Sequence, residues 1–139
     1  MQHNIIKTAN LQADGKLAES RSVPLLIMFS QAYCAFCQKL TEEILEPMLI
    51  SGDYTDRVLI RELRIDDNQD IIDFTGEIID PRGVFSRYLL FVTPSILLLD
   101  SQGKELAERQ IGINTVEFYG YYLDQAIDQA LTHVSSQPS

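Results

Sequence analysis

The two cysteines of the chain, Cys34 and Cys37, lie in the segment AYCAFCQK, separated by two residues. Two thiols at this spacing can form a redox couple, supply half of a zinc site or fill space in a core. A redox couple needs Cys34 as a thiolate, because the thiolate attacks a disulfide, and Cys37 to resolve the mixed disulfide that forms. The secondary-structure elements around the two cysteines help to decide between a redox couple, a zinc site and core packing.

Two predicted elements flank the cysteines. Residues 23–29 are apolar throughout, which is typical of a strand covered on both faces in an α/β sheet. Apolar residues then recur at helical spacing over 34–49, and Pro47 is expected to kink or end this helix. Cys34 is therefore expected at a helix N-terminus, where unpaired backbone N–H groups favour a thiolate.

The other patterns predict alternating helices and strands. Residues 58–65 predict a second strand parallel to the first, and its Arg61, Glu62 and Arg64 suggest a place at the sheet edge. Residues 66–80 are rich in acidic side chains and predict an exposed hairpin. The further predicted elements are a short amphipathic helix within 9–22, the Thr75-Gly76 turn of the hairpin, a helix from Asp80-Pro81 to about Leu89, a buried strand at 95–100, a turn at SQGKE, an edge strand at 105–111, and a last helix capped by Asn114 with Glu117 that buries Val116, Tyr119, Leu123, Ala126, Ile127, Ala130 and Leu131.

Length and charge limit the function classes. The 139 residues suffice for one domain over 1–139, with its core at about 15–132 and a frayed tail at 135–139. A net charge of −9 and scattered basic residues argue against a nucleic-acid partner, since phosphate binding needs clustered Lys and Arg. No stretch approaches the roughly 20 apolar residues of a membrane span.

Metal binding is poorly supported by the available ligands. A structural zinc site needs four ligands, and besides the two cysteines there are only His3 and His133 at opposite ends of the chain. A carrier of a soft ion such as Cu(I) is chemically allowed, but neither Met nor His adjoins the pair. We therefore expect no metal and no cofactor beyond the dithiol itself.

The order of these elements resembles that of the thioredoxin family from about residue 15 to 132. Besides Cys34 and Cys37, the resemblance rests on Thr93-Pro94 opening the strand SILLLD and on Gly112 after the edge strand. The segments MFSQAYCAFCQKLTEEIL and FVTPSILLLD are most similar to secreted thioredoxin-like proteins of bacteria. The resemblance implies an α/β thioredoxin fold, a central mixed β-sheet flanked by helices, with the acidic hairpin near 66–80 as an insertion.

The resemblance also implies a substrate site. The Thr93–Pro94 bond would be cis and lie against the cysteine pair, leaving the Thr93 backbone to pair with an extended substrate segment. A shallow apolar groove around Cys34 would be lined by Tyr33, Ala35, Phe36, Val92 and Ile113.

Two departures from the family pattern concern the redox chemistry. Thioredoxins usually carry a buried carboxylate six residues before the first cysteine, which helps to deprotonate the second thiol, and here that position is Met28. The intervening pair Ala35-Phe36 adds no charge. A helix N-terminus stabilises an anion by roughly 0.3–2 kcal/mol, and one pKa unit is about 1.4 kcal/mol. We therefore expect only a moderately acidic Cys34.

These observations predict a thiol–disulfide oxidoreductase, a reductase or mid-range exchanger rather than a strong oxidant. Protein disulfides would be its substrates, and a separate protein would donate electrons to this monomer, because no further cysteine provides a relay. The alternative is a redox-responsive binding or chaperone module with weak or no turnover, docking through residues 66–80. Residues 1–16 lack signal-peptide features, which allows a cytoplasmic location, whereas the resemblance favours a periplasmic or other extracytoplasmic one.

Overall fold

A mixed sheet of five strands forms the centre of the protein in the computed structural model, which describes residues 5–112 and 116–136. The strands of this sheet are β1 (Ile6–Lys7), β2 (Leu25–Ser30), β3 (Leu59–Arg64), β6 (Ser95–Leu99) and β7 (Gln110–Ile111), and a separate hairpin holds β4 (Ile71–Ile72) and β5 (Ile78–Ile79). The order across the sheet is β1-β3-β2-β6-β7. Strand β3 runs parallel to β1 and β2, and β6 and β7 are antiparallel to their neighbours.

Helices cover both faces of the sheet. They are α1 (Leu11–Ser20), α2 (Ala35–Leu40), α3 (Glu46–Ser51), α4 (Pro81–Arg87) and α5 (Val116–Ser136). Residues 25–29 of β2 are fully buried, as their unbroken apolar run predicts. Met28 and Leu26 pack on one face against Leu40 and Ile127, whereas Phe29 packs on the other face in the cluster that contains α1 and α4 residues. The predicted mixed sheet flanked by helices is confirmed.

The helix after the cysteines runs past Pro47. A π-helical turn, Thr41–Leu45, joins α2 to α3, and the Glu46 N–H bonds to the Thr41 carbonyl. Of the two predicted effects of Pro47, a kink or an end, the end is wrong. The hydrogen-bond pattern already changes in the π-helical turn before Pro47, and Pro47 lies in the first turn of α3, where its missing N–H is tolerated. The helix ends instead at Gly52, which has the positive φ of 76° that favours glycine.

Strand β3 lies inside the sheet, so its predicted edge position is wrong. The two-residue strand β1 pairs on its outer side, with Ile6 opposite Arg61 and Lys7 opposite Glu62. The charged residues of β3 are tolerated there because they have partners. Arg61 Nε, for example, lies 3.0 Å from Asp14 Oδ1.

The hairpin at 66–80 forms around the predicted turn, but it is not wholly exposed. Ile71 and Asp73 are buried, because Ile71 joins the core cluster of one sheet face and Asp73 pairs with Arg87 of α4. Asp80 caps α4 through the Arg82 N–H, as predicted.

The C-terminal part of the chain follows the predicted order with a shorter edge strand. Residues 105–111 contribute only β7 at their end, and residue 105 makes an isolated bridge to Leu99. Helix α5 buries Tyr119, Leu123, Ala126, Ile127 and Ala130, and Leu131 is partly buried. Asn114 lies outside the described residues, as do the side chains of Val116 and Glu117.

Candidate active site

Cys34 is the N-cap residue of α2, as the helical periodicity predicts. Its backbone is extended, with φ −101° and ψ 101°, and its Sγ accepts a hydrogen bond from the Cys37 N–H at 3.2 Å. The two cysteines form a disulfide. Cys34 is partly exposed, whereas only 5% of Cys37 is exposed. The first sulfur is thus the one that a partner molecule can reach.

The short connection between β2 and α2 orients Cys34. The Ala32 N–H lies 3.1 Å from both carboxylate oxygens of Asp66, which ties this connection to the end of β3. Tyr33 then adopts a positive φ of 58°, and this left-handed residue turns the chain into the helix start. The Tyr33 side chain is fully exposed beside Cys34.

The Thr93–Pro94 peptide bond is cis and lies against the cysteine pair, as the resemblance implies. Cys34 Sγ is 3.6 Å from Thr93 Oγ1 and 3.8 Å from the Thr93 carbonyl oxygen. Thr93 Oγ1 donates a hydrogen bond to Gln31 Oε1 at 3.0 Å. The Gly112 N–H bonds to the Pro94 carbonyl at 2.8 Å, so the end of β7 also meets this loop.

Exposed apolar side chains belong to the segments that meet at Cys34. Phe36 is 58% exposed, and Ala35 and Val92 are also exposed. Ile113 lies outside the described residues. Sequence reasoning missed three further side chains of these segments, namely Leu89, Phe91 and Ile111. The signal for the first two was an apolar run, LLFV, placed directly before Thr93 instead of inside a strand.

A cavity of about 210 Å³ adjoins the disulfide. Its lining residues are Gln31, Ala32, Tyr33, Cys34, Cys37, Gln38, Thr41, Glu62 and Arg64. Glu62 is buried there, and its Oε2 accepts hydrogen bonds from Ser30 Oγ at 2.5 Å and from Arg64 Nη2 at 3.2 Å. Sequence reasoning interpreted Glu62 as an edge residue and missed this position, because it depends on the strand register.

Comparison with known families agrees with this geometry. Residues 11–133 match the family described as thioredoxin-like domain. The chain belongs to that family. The Cys34–Cys37 disulfide at a helix start, in a thioredoxin-like domain, makes the protein a thiol–disulfide oxidoreductase, as the sequence predicts. A comparison with curated protein sequences found no significant match.

Solved structures share the fold of this thioredoxin-like domain at low sequence identity. Oxidised mitochondrial thioredoxin 3 from Saccharomyces cerevisiae is 18% identical, covers 89% of this chain and 93% of its own, and has a TM-score of 0.59. The oxidised C-terminal domain of DsbD from Neisseria meningitidis is 16% identical, covers 82% and 90%, and has a TM-score of 0.57. A DsbH oxidoreductase is 14% identical, covers 91% and 87%, and has a TM-score of 0.66.

The described part of the thioredoxin-like domain has neither a metal-binding cluster nor a membrane-spanning helix. Within residues 5–112 and 116–136, no three His, Cys, Asp or Glu side chains group closely enough to hold a metal ion. In the same part of the chain, none of the helices combines the length and apolar character needed to span a bilayer.

Proposed function

We propose that this thioredoxin-like domain reduces or exchanges disulfides of other proteins, with Cys34 as the nucleophile and Cys37 as the resolving thiol. The Cys34 thiolate attacks one sulfur of the substrate disulfide, which forms a mixed disulfide and releases the first substrate thiolate. Cys37 then attacks Cys34 Sγ, closes the Cys34–Cys37 disulfide and releases the second thiolate. The substrate gains two electrons, and a separate dithiol donor protein returns the pair to its reduced form.

The observation that carries this assignment is the difference between the two sulfurs. Cys34 is partly exposed at the N-cap of α2 and accepts the Cys37 N–H, a donor that also favours a thiolate at this position. Cys37 is buried one turn further along the helix. An incoming disulfide therefore meets Cys34 first.

Substrate binding is assigned to the exposed apolar surface around Cys34, formed by Tyr33, Ala35 and Phe36, together with the Thr93–Pro94 loop. No described residue accepts a hydrogen bond from the Thr93 N–H. An extended substrate segment can therefore pair with this backbone while its side chains contact the aromatic rings.

The proposed direction is reduction or mid-range exchange. A helix N-terminus stabilises a thiolate by only roughly 0.3–2 kcal/mol, and Ala35 and Phe36 add no charge. Arg64 brings a positive charge to the cavity, but its Nη2 lies 3.2 Å from Glu62 Oε2 and its Nε donates to Ser30 Oγ. Among the described residues that line the cavity, Arg64 is the only cation, and these contacts direct it to Glu62 and Ser30, so it does not supply the strong thiolate stabilisation of an extreme oxidant.

The first test is the reduction potential of the pair, measured in dithiothreitol or glutathione buffers. A value near that of cytosolic thioredoxins, about −270 mV, is expected for a reductase, and a value near −120 mV would contradict it. Insulin reduction with dithiothreitol should show turnover that Cys34→Ser abolishes. Cys37→Ser should instead accumulate mixed disulfides. A chain without turnover would be the redox-responsive binding module.

The substrate surface has its own test. Phe36→Ala should raise KM for insulin several-fold with little change in kcat, because the ring contacts substrate without touching the reacting sulfurs. Tyr121→Ala is the matched control, since this aromatic side chain is 61% exposed on α5. Equal KM values for the two variants would remove Phe36 from the substrate site.

We further propose that residues 1–139 act as one monomeric domain in an extracytoplasmic, periplasm-like compartment that serves electron transfer to disulfides. Disulfide chemistry is routine there, and the sequence resembles secreted bacterial thioredoxin-like proteins. Sedimentation tests the monomer, and fractionation of cells that express the native gene tests the compartment. Detection of the protein in the cytoplasmic fraction alone would contradict the proposed compartment.

A further inference from the structure

The resolving step of the proposed reaction poses a problem of proton transfer. Cys37 must be a thiolate to attack Cys34 Sγ. Only 5% of Cys37 is exposed, and burial in apolar surroundings disfavours the charged form of a thiol. A group inside the cavity must therefore take the Cys37 proton while substrate covers the site.

Few side chains around the cavity can accept that proton. The titratable or charged residues that line it are Tyr33, Cys34, Cys37, Glu62 and Arg64. Tyr33 projects fully into solvent, Cys34 is held in the mixed disulfide at this stage, and an arginine stays protonated. Among the described residues, Glu62 is the only carboxylate that lines the cavity.

The strand register explains how a carboxylate reaches this position. Met28 of β2 pairs with Glu62 of β3 in parallel strands, so both side chains project from the same face of the sheet. Met28 belongs to the core beneath the helix that carries Cys37 and contacts Thr41 Oγ1 through its sulfur at 3.8 Å. Glu62 lies one strand further out, at a lateral spacing of about 4.8 Å.

The hydrogen bonds of Glu62 leave one oxygen for this role. The bonds from Ser30 and Arg64 both end on Oε2, and no described residue donates to Oε1. Arg64 compensates the buried negative charge. On the other side, Lys7 of β1 is paired in register with Glu62, but its Nζ lies 3.1 Å from Asp67 Oδ2.

We propose that Glu62 is the proton acceptor for Cys37, a role that rests on the proposed function. The Cys37 proton passes to Glu62, directly or through water in the cavity, which at about 210 Å³ has room for it. The resulting Cys37 thiolate attacks Cys34 Sγ, the S–S bond to substrate breaks and its electron pair leaves with the substrate thiolate. Protonated Glu62 then gives its proton to that thiolate or to solvent.

The test separates the two chemical steps in a single turnover. The reduced protein is mixed with excess dithiobis(nitrobenzoate), an aromatic disulfide whose released thiolate absorbs visible light. The first equivalent reports attack by Cys34, and the second reports resolution by Cys37. In Glu62→Gln, the first phase should keep the wild-type rate, and the second should slow about 100-fold at neutral pH, the lower range for a positioned base.

The pH profile distinguishes proton transfer from damage to the structure. The wild-type second phase should already be fast at neutral pH, where Glu62 takes the Cys37 proton. In Glu62→Gln it should accelerate with rising pH and approach the wild-type rate in alkali, where hydroxide ionises Cys37 directly. A defect of the same size at every pH would be structural and would overturn the proposal.

The matched control is Asp73→Asn, which neutralises a buried carboxylate outside the cavity lining. It should leave both phases at the wild-type rate. Equal second phases for Glu62→Gln and wild type would overturn the role of Glu62 and leave the proposed function intact. A wild-type protein without a first phase would contradict the proposed function itself.

Discussion

Two buried carboxylates, Glu62 and Asp73, look alike by exposure and differ in what surrounds them. They are 8% and 5% exposed, and each pairs with an arginine. Asp73 Oδ2 accepts a hydrogen bond from Arg87 Nη1 at 2.6 Å, and Asp73 Oδ1 accepts one from Arg87 Nη2 at 2.9 Å. Oδ1 also accepts a hydrogen bond from the Phe74 N–H. Both Asp73 oxygens are thus engaged, whereas no described residue donates to Glu62 Oε1, and Glu62 lines the same cavity as the two cysteines.

This difference shows what separates a structural carboxylate from a reactive one. The Arg87 hydrogen bonds hold the pKa of Asp73 below its usual range, so that side chain stays ionised and fastens the hairpin to α4. Glu62 lines the cavity together with Cys37. Burial and an arginine partner are common to both, so the free acceptor and the neighbouring sulfur mark the chemical role.

Asp73→Ala should cause the largest loss of stability. Breaking a buried ion pair costs about 3–5 kcal/mol, and the lower end applies because the Arg87 side chain is 44% exposed. Urea unfolding measures this change in the free energy of unfolding. Asp70→Ala, at an exposed position of the same segment, is the control and should change it little. A loss below 1 kcal/mol would mean that Asp73 does not fasten the hairpin.

The stability that Asp73 contributes should depend on pH. Its pKa is lowered in the folded protein, so its contribution is complete above the unfolded value of 3.8 and is lost as pH falls through the folded value. The difference in unfolding free energy between wild type and Asp73→Ala should therefore shrink in acid. Urea titrations from neutral pH to pH 2 measure it. A constant difference would contradict the ion pair.

The parts of the fold with a strong local pattern could be predicted from the sequence. The continuous apolar run of β2, the helix after Cys34 and the turn at Thr75-Gly76 each depend on neighbouring residues alone. The resemblance to thioredoxins added the cis bond at Thr93–Pro94. These local features already place the cysteine pair at the centre of the candidate site.

The missed features depend on contacts between distant segments. Strand β1 has two residues, too few for any periodicity, and without it the charged Arg61, Glu62 and Arg64 indicate an edge position that β3 does not occupy. The same error hid Glu62, since its position beside Met28 follows from strand register. Exposure of Phe91 was also unpredictable, because an apolar side chain is normally assigned to the core.

Ser30→Ala tests the support of Glu62 and should have a smaller effect than Asp73→Ala. It removes the 2.5 Å hydrogen bond to Glu62 Oε2 and leaves Arg64 as the remaining donor. A hydrogen bond to a charged group contributes about 1.5–3 kcal/mol, and the retained arginine should keep the loss at the lower end. Ser86→Ala, at an exposed position, is the control for urea unfolding. Equal stabilities would show that Arg64 alone supports the carboxylate.

Tyr119→Phe should cause the smallest change in stability, and it should stabilise the protein, whereas the preceding substitutions destabilise it. The Tyr119 hydroxyl is buried with no hydrogen-bond partner among the described residues, and burial raises the pKa of Tyr119. Removing an unpaired polar atom while keeping the ring should stabilise the protein by up to about 1 kcal/mol. Tyr88→Phe is the matched control, because the Tyr88 hydroxyl donates to the Gly103 carbonyl and burial raises its pKa to about 12.

The two tyrosines extend the comparison of the carboxylates to neutral groups. Tyr88→Phe should lose about 1 kcal/mol, since the Gly103 carbonyl then lacks this donor. Thermal unfolding of both variants at the same pH shows directly whether each substitution raises or lowers the stability relative to wild type. Destabilisation by Tyr119→Phe would mean that its hydroxyl is bonded. In that case the hydroxyls of Tyr119 and Tyr88 would both contribute to stability through a hydrogen bond.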